Sequence, residues 1–185
     1  NSKTRAEPTV FLGYCQPQIQ QHYGKVDEVL FIPYAEPSAI DQVVLAKQRA
    51  DHQQLTIPTS EERMDAYTQY MKPRFQEMGY RLTGIHSAKD PIKAIENAHA
   101  VYVGGGNTFD LLSALQQRDL IQPLKKRIDE GMPYMGVSAG TVIAGMNICS
   151  SNDNAKPLQD FDALEAVPFN IKPHYLEKVV VSDKV

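Results

Sequence analysis

The stretch Ala100-Val101-Tyr102-Val103-Gly104-Gly105-Gly106-Asn107-Thr108-Phe109 decides how this chain folds. A short apolar run ends in three glycines, and beyond them Phe109, Leu112 and Leu115 recur at helical spacing. Leu120 or Ile121, Leu124 and Ile128 mark a second helix closed by Gly131, and Pro133 to Met135 reads as the next strand. Upstream, Val29-Leu30-Phe31-Ile32 is a continuous apolar run ended by Pro33, as a strand buried on both faces would be. Arg81 to Ile85 reads as a strand, and Asp90 caps a helix through Ala98 with Pro91 at its first position. Leu12 to Tyr23, Ala39 to Arg49 and Ser60 to Gly79 read as helices, with Pro73 expected to kink or break the last. Strands alternating with helices make this an α/β protein, a mostly parallel sheet with helices on both faces. Its active site is expected at the carboxyl ends of the strands.

At 185 residues the chain is expected to be one domain, spanning 1–185, with room for a sizeable core. A net charge of -3, with no basic patch interleaved with aromatics, argues against a nucleic-acid partner. No run has the length of a membrane span or of a signal-peptide core, so no membrane partner is expected and the location is read as cytoplasmic. Cys15 and Cys149 are too few for a disulfide framework or a zinc site and are expected to be small buried hydrophobes. Neither metal nor cofactor is expected. The partner is a small peptide substrate, and the assembly state is a monomer or a homodimer.

Two glycine motifs carry the chemistry. Gly136-Val137-Ser138-Ala139-Gly140 lies between a strand and a helix, the pattern of a nucleophile elbow. Its serine would sit on a tight turn with the hydroxyl pushed out of the sheet. The Ala139 N–H, at the head of the next helix, could stabilise an oxyanion. Gly104-Gly105-Gly106 is no dinucleotide fingerprint, because Phe109 stands where a third glycine is needed, and no Gly-Lys-Ser/Thr follows for a P-loop. It reads instead as a close-approach turn that aims the Gly106 N–H at the same oxyanion, with Asn107 and Thr108 on the substrate side.

A serine nucleophile needs a base. Of five histidines, His22 and His52 fall in polar stretches, while His86 ends a strand and His99 opens one. His174 follows Pro173, which stiffens the peptide into an extended form suited to aiming an imidazole, and it is the strongest candidate. Asp153, in Ser151-Asn152-Asp153-Asn154, lies between serine and histidine and could orient the imidazole, although Asn-Asp-Asn is also ordinary turn chemistry. Asp160, Asp162 and Glu165 are alternative carboxylates.

Taken in order, Leu30 to Ala35, Gly84-Ile85-His86, Gly104 to Phe109, Gly136 to Thr141, Asn152-Asp153 and Pro168 to Tyr175 resemble the S51 serine-peptidase family, the peptidase E group of α-aspartyl dipeptidases. The resemblance runs from Val29 to Leu176. It implies a class I glutamine amidotransferase-like (flavodoxin-like) three-layer sandwich, with Ser138 where those enzymes carry cysteine. It implies cofactor-free hydrolysis of dipeptides with an N-terminal aspartate. By position, Ser138 is the nucleophile, His174 the base, and Gly106 and Ala139 the oxyanion donors. Asp153 matches an aspartate of the family that is better viewed as structural or substrate-side than as the triad acid. The family's triad glutamate and a basic segment follow the histidine, whereas eleven residues follow His174 here, none matching either. Asn1-Ser2 resembles the tail of the family's opening strand, and Glu36 to Glu61 is longer than the usual connection. The chain is therefore expected to be incomplete at both ends. A catalytically impaired binding domain of the same fold, a cyanophycinase-like β-aspartyl exopeptidase and an ordinary α/β-hydrolase esterase stay open as other readings.

Overall fold

In a computed structural model of the chain, residues 11–52, 54–153 and 157–174 are described. Asn1-Ser2, Asn154 and the segment after His174 lie outside them. Four strands, β1 (Glu28–Ile32), β2 (Arg81–Gly84), β3 (Val101–Val103) and β4 (Tyr134–Gly136), form one parallel sheet in the order β2-β1-β3-β4. That order is the start of the flavodoxin-like arrangement, in which ligands sit where the winding reverses, between β1 and β3. The helices are α1 (Gln16–Tyr23), α2 (Ala39–Ala50), α3 (Ser60–Glu77), α4 (Pro91–Glu96), α5 (Thr108–Gln117), α6 (Ile121–Asp129) and α7 (Ala139–Val142).

Period-two alternation splits the strand side chains between two cores. Leu30, Ile32, Val101 and Val103 face α4, α5, α6 and α7, where Ile95, Leu112, Leu115 and Leu124 complete an aliphatic layer. Val29, Phe31 and Tyr102 face α1, α2 and α3 through Ile19, Val44, Tyr67, Met71 and Phe75. This second layer is aromatic: Phe31 stacks on Tyr102 with ring centroids 5.0 Å apart, and Tyr67 meets Phe31 edge-on. Helices thus cover both faces, as the alternating pattern requires.

Most elements form where the sequence places them, with small shifts at their ends. Gly13–Cys15 is a 3-10 turn ahead of α1, and Ile85–Ser87 is another where the end of a strand was expected. Asp90 accepts the Lys93 amide at 3.0 Å and caps α4. Thr59 and Glu62 form a reciprocal capping box that starts α3.

Two expectations meet a different outcome. Pro73 does not break α3, which runs on to Glu77. Pro73 and Gln69 are both exposed, so the carbonyl that loses its donor faces water rather than the core. Cys149 is exposed and Cys15 only half-buried, so neither is a core hydrophobe. Ile148 fills the core position beside Cys149.

Because the Pro73 ring makes no core contribution, Pro73→Ala restores a donor to an intact helix. A gain on the order of 1–3 kcal/mol in urea denaturation is expected, less the entropy that alanine returns to the unfolded chain.

Candidate active site

Strands β3 and β4 end side by side, and their glycine turns touch. Ser138, the residue after the β4 turn, has φ 53° and ψ -109°, outside the wells that a side-chain-bearing residue prefers. Close backbone packing keeps the turn shut, and two side chains brace it: the Thr141 hydroxyl donates to the Gly136 carbonyl at 2.8 Å and the Tyr134 hydroxyl donates to the Gly140 carbonyl. A Cβ at Gly136 would lie 2.2 Å from the Gly140 carbonyl oxygen, and one at Gly140 would lie 2.3 Å from that of Val103. Only glycine fits at either place. The β3 turn is equally tight: a Cβ at Gly106, where φ is +147°, would lie 2.2 Å from the Ala35 oxygen, and one at Gly105 would meet Ser138 Cβ at 3.0 Å. The ends of β1, β3 and β4 are therefore packed with no side chains between them.

Ser138 Oγ and His174 Nε2 lie 2.8 Å apart, within hydrogen-bond reach for a nucleophile and its base. His174 sits at the end of a segment fastened to the loop that follows α7. Ser150 Oγ donates to the Ile171 carbonyl at 2.8 Å. Asn170 accepts the Asn147 amide at 3.0 Å and donates to its side-chain oxygen at 2.8 Å. Pro173 then restricts the backbone before the imidazole.

The other nominated residues fall around this pair. Asn107 caps α5, accepting the Phe109 and Asp110 amides at 2.9 and 3.1 Å, and its own N–H donates to the Ala35 carbonyl. Thr108 donates both its amide and its hydroxyl to Asp153 Oδ2, at 2.7 and 2.6 Å, and Ser151 Oγ adds a third bond at 3.0 Å. Among the described residues no hydrogen bond joins Asp153 to His174, and Asp153 works instead as a clamp between the α5 head and the loop. Burial pushes the Asp153 carboxyl up, but the Thr108 hydroxyl, the Thr108 amide and Ser151 outweigh it and leave it below its ordinary value. The Gly106 and Ala139 amides have no hydrogen-bond partner among the described residues.

The remaining histidines lie elsewhere. His22 is exposed with Nε2 3.0 Å from the Tyr134 carbonyl, and His52 and His99 are exposed. The His86 side chain is buried beside Asp65, 2.9 Å away. Asp160 accepts from Gln116, and Glu165 pairs with Lys125.

Ser138 and His174 open into a cleft of about 310 Å³ whose walls include Leu12, Tyr14, Met135 and Pro173. A larger groove of about 770 Å³ runs along β2 and α3, but it contains neither residue. Of the two, only the smaller one holds both Ser138 and His174. Sequence reasoning missed the Leu12–Cys15 wall, and also Tyr67, whose hydroxyl accepts the Gly105 amide at 3.0 Å. Tyr67 follows the apolar period of α3, and nothing local to it signals a partner 38 residues away.

The sheet order and the serine turn between β4 and α7 define an α/β protein of the flavodoxin-like, glutamine amidotransferase type with a nucleophile elbow. Two solved structures share this fold. One, assigned to a peptidase E protein of Listeria monocytogenes EGD-e, superposes with a TM-score of 0.56 at 23% identity, covering 84% of this chain and 71% of that one. The other, a peptidase from an acI-B1 Actinobacterium, gives 0.53 at 18% identity over 80% of this chain and 55% of that one. The profile of peptidase family S51 matches residues 39–183, and the chain belongs to that family. A Drosophila melanogaster protein assigned as an alpha-aspartyl dipeptidase is 34% identical over 95% of this chain and 65% of its own length. Peptidase E of Shewanella putrefaciens is 32% identical over 94% of this chain and 64% of its own length. The chain thus spans a little under two thirds of the length of these relatives. No helix among the described residues is long and apolar enough to cross a membrane.

The Asp153 clamp makes a pH-dependent prediction. Hydrogen bonds to the carboxylate lower its pKa, so their stabilisation is complete above the unfolded value of about 3.9 and is lost as pH falls through the depressed one. Asp153 is exposed, so solvent screens these bonds, and Asp153→Asn should cost only about 0.5 kcal/mol in urea denaturation at pH 7, with the gap to wild type closing in acid below that range.

Proposed function

We propose that this chain carries the serine centre of an exopeptidase that hydrolyses dipeptides with an N-terminal aspartate. The observation that carries the reading is the 2.8 Å approach of Ser138 Oγ to His174 Nε2 at a strained elbow, in a member of peptidase family S51. The aspartyl preference is supported by the relatives named peptidase E and alpha-aspartyl dipeptidase.

In this reading Ser138 Oγ attacks the scissile carbonyl carbon while His174 Nε2 takes the hydroxyl proton. The carbonyl oxygen becomes an oxyanion, and the Gly106 and Ala139 amides are the donors available to it. The C–N bond then breaks, and His174 returns the proton to the leaving amine. A water deprotonated by His174 next cleaves the acyl-serine ester and frees aspartate. The elbow suits the first step, because φ 53° at Ser138 keeps the hydroxyl clear of the backbone that follows it. Leu12, Met135 and Pro173 give the cleft apolar walls beside the reacting groups.

The test is hydrolysis of Asp-Leu beside Glu-Leu, Ala-Leu and β-Asp-Leu by the full-length protein. Asp-Leu alone should be cleaved, and Ser138→Ala should lower kcat by on the order of a million-fold. Cleavage of β-Asp-Leu in preference would move the substrate class to isoaspartyl peptides. No Ser138-dependent cleavage of any of the four would refute the exopeptidase reading.

A further inference from the structure

Tyr67 lies outside the cleft that holds Ser138, and yet it controls one of the two turns that meet there. Four consecutive amides lead out of β3. The Gly104 N–H donates to the Ile32 carbonyl at 3.1 Å, continuing the ladder to β1. The Gly105 N–H donates to Tyr67 Oη at 3.0 Å. The Asn107 N–H donates to the Ala35 carbonyl at 2.9 Å. The Gly106 N–H has no partner among the described residues. With its neighbours on both sides held, the peptide plane that carries this free donor has little freedom to turn.

We infer that Tyr67 is a positioning residue that fixes the Gly104–Gly106 turn and so aims the Gly106 amide at the oxyanion formed on the Ser138 substrate. This rests on the serine-exopeptidase reading above. Three observations support it beyond the hydrogen bond. The Tyr67 ring lies against Gly104, where a Cβ would come within 2.8 Å of it, so ring and turn fit each other with no slack. The ring is itself held edge-on against Phe31 at 5.0 Å, and Phe31 stacks on Tyr102, so it cannot swing away without opening the aromatic core. Burial pushes the Tyr67 hydroxyl up to about 12, so it stays protonated, a neutral acceptor for the Gly105 amide, across the working pH range. The turn has no side chains of its own to stiffen it, because residues 104 to 106 are all glycine. The stiffness therefore comes from α3.

Tyr67→Phe keeps the ring and removes the acceptor, leaving a buried amide free to seek another partner. On Asp-Leu its kcat should fall about ten- to a hundred-fold, as expected for a displaced donor, with KM within about two-fold of wild type. Phosphonylation of Ser138 by an active-serine phosphonate, which also builds charge on that oxygen, should slow in parallel. Tyr80→Phe removes a hydroxyl of the same aromatic layer that bonds the Gln20 and Gly24 carbonyls rather than the turn, and should leave kcat near wild type. A folded Tyr67→Phe with wild-type kcat, or one whose loss is carried by KM alone, overturns the inference. Should Tyr67→Phe not fold, amide exchange in the wild type decides. The Gly105 N–H should be strongly protected, and exchange at the rate of an unbonded loop amide overturns the role of Tyr67 alone. A wild type without Ser138-dependent cleavage or labelling overturns the exopeptidase reading and this role with it.

Discussion

Backbone-to-backbone contact at the carboxyl ends of β1, β3 and β4 is the constraint on which the rest of this structure depends. Gly106 against Ala35, Gly105 against Ser138, and Gly140 against Val103 bring three chain segments together at distances that leave no room for a methyl group. Such packing removes the conformational slack that side chains would allow. It also brings the strained serine against Gly105, next in the chain to Gly106, and the Gly106 and Ala139 amides have no partner among the described residues. The cost is local, since φ 53° at Ser138 is unfavourable by about 1–3 kcal/mol. Val103, fully buried in the core that Ala139 and Val142 also enter, packs against Gly140 of the turn.

Around that point the fold builds a closed circuit of hydrogen bonds. The head of α5 is tied to Asp153 through Thr108, and Ser151 ties Asp153 to the loop after α7. Ser150 and Asn147 tie the same loop to Ile171 and Asn170, and His174 closes the ring on Ser138. The carboxylate thus makes no hydrogen bond to the imidazole among the described residues, and the two share only a charge interaction beside the loop contacts that place both.

How much of this was legible beforehand followed from range. Strands and glycine turns announce themselves locally, and β1, β3 and the elbow at Ser138 fall where the apolar runs and glycines put them. The pairing of Ser138 with His174 was readable from residue types and from the stiffening at Pro173. What remained hidden depends on contacts between distant segments. Thr108 meets Asp153 across 45 residues, and Tyr67 meets Gly105 across 38. Neither residue differs locally from an ordinary helix position. Pro73 misled for a related reason, since helix propensity says nothing about which face of α3 the tertiary structure leaves to water.

The unequal character of the two cores has a spectroscopic consequence. The chain has no tryptophan and nine tyrosines. Four of these, Tyr23, Tyr67, Tyr80 and Tyr102, gather in the layer formed by α1, α2 and α3, while the opposite layer is mostly aliphatic and holds only Tyr34 and Tyr134 among its described tyrosines. Near-ultraviolet circular dichroism and tyrosine emission therefore watch one side of the sheet far more closely than the other. Loosening of α5 and α6 would reach those probes mainly through Tyr34, over whose ring Arg118 lies, and through Tyr134, although it would undermine the strands that carry the serine. Methyl resonances of Leu111, Leu112, Leu115 and Leu124 are the natural additional reporters for that face.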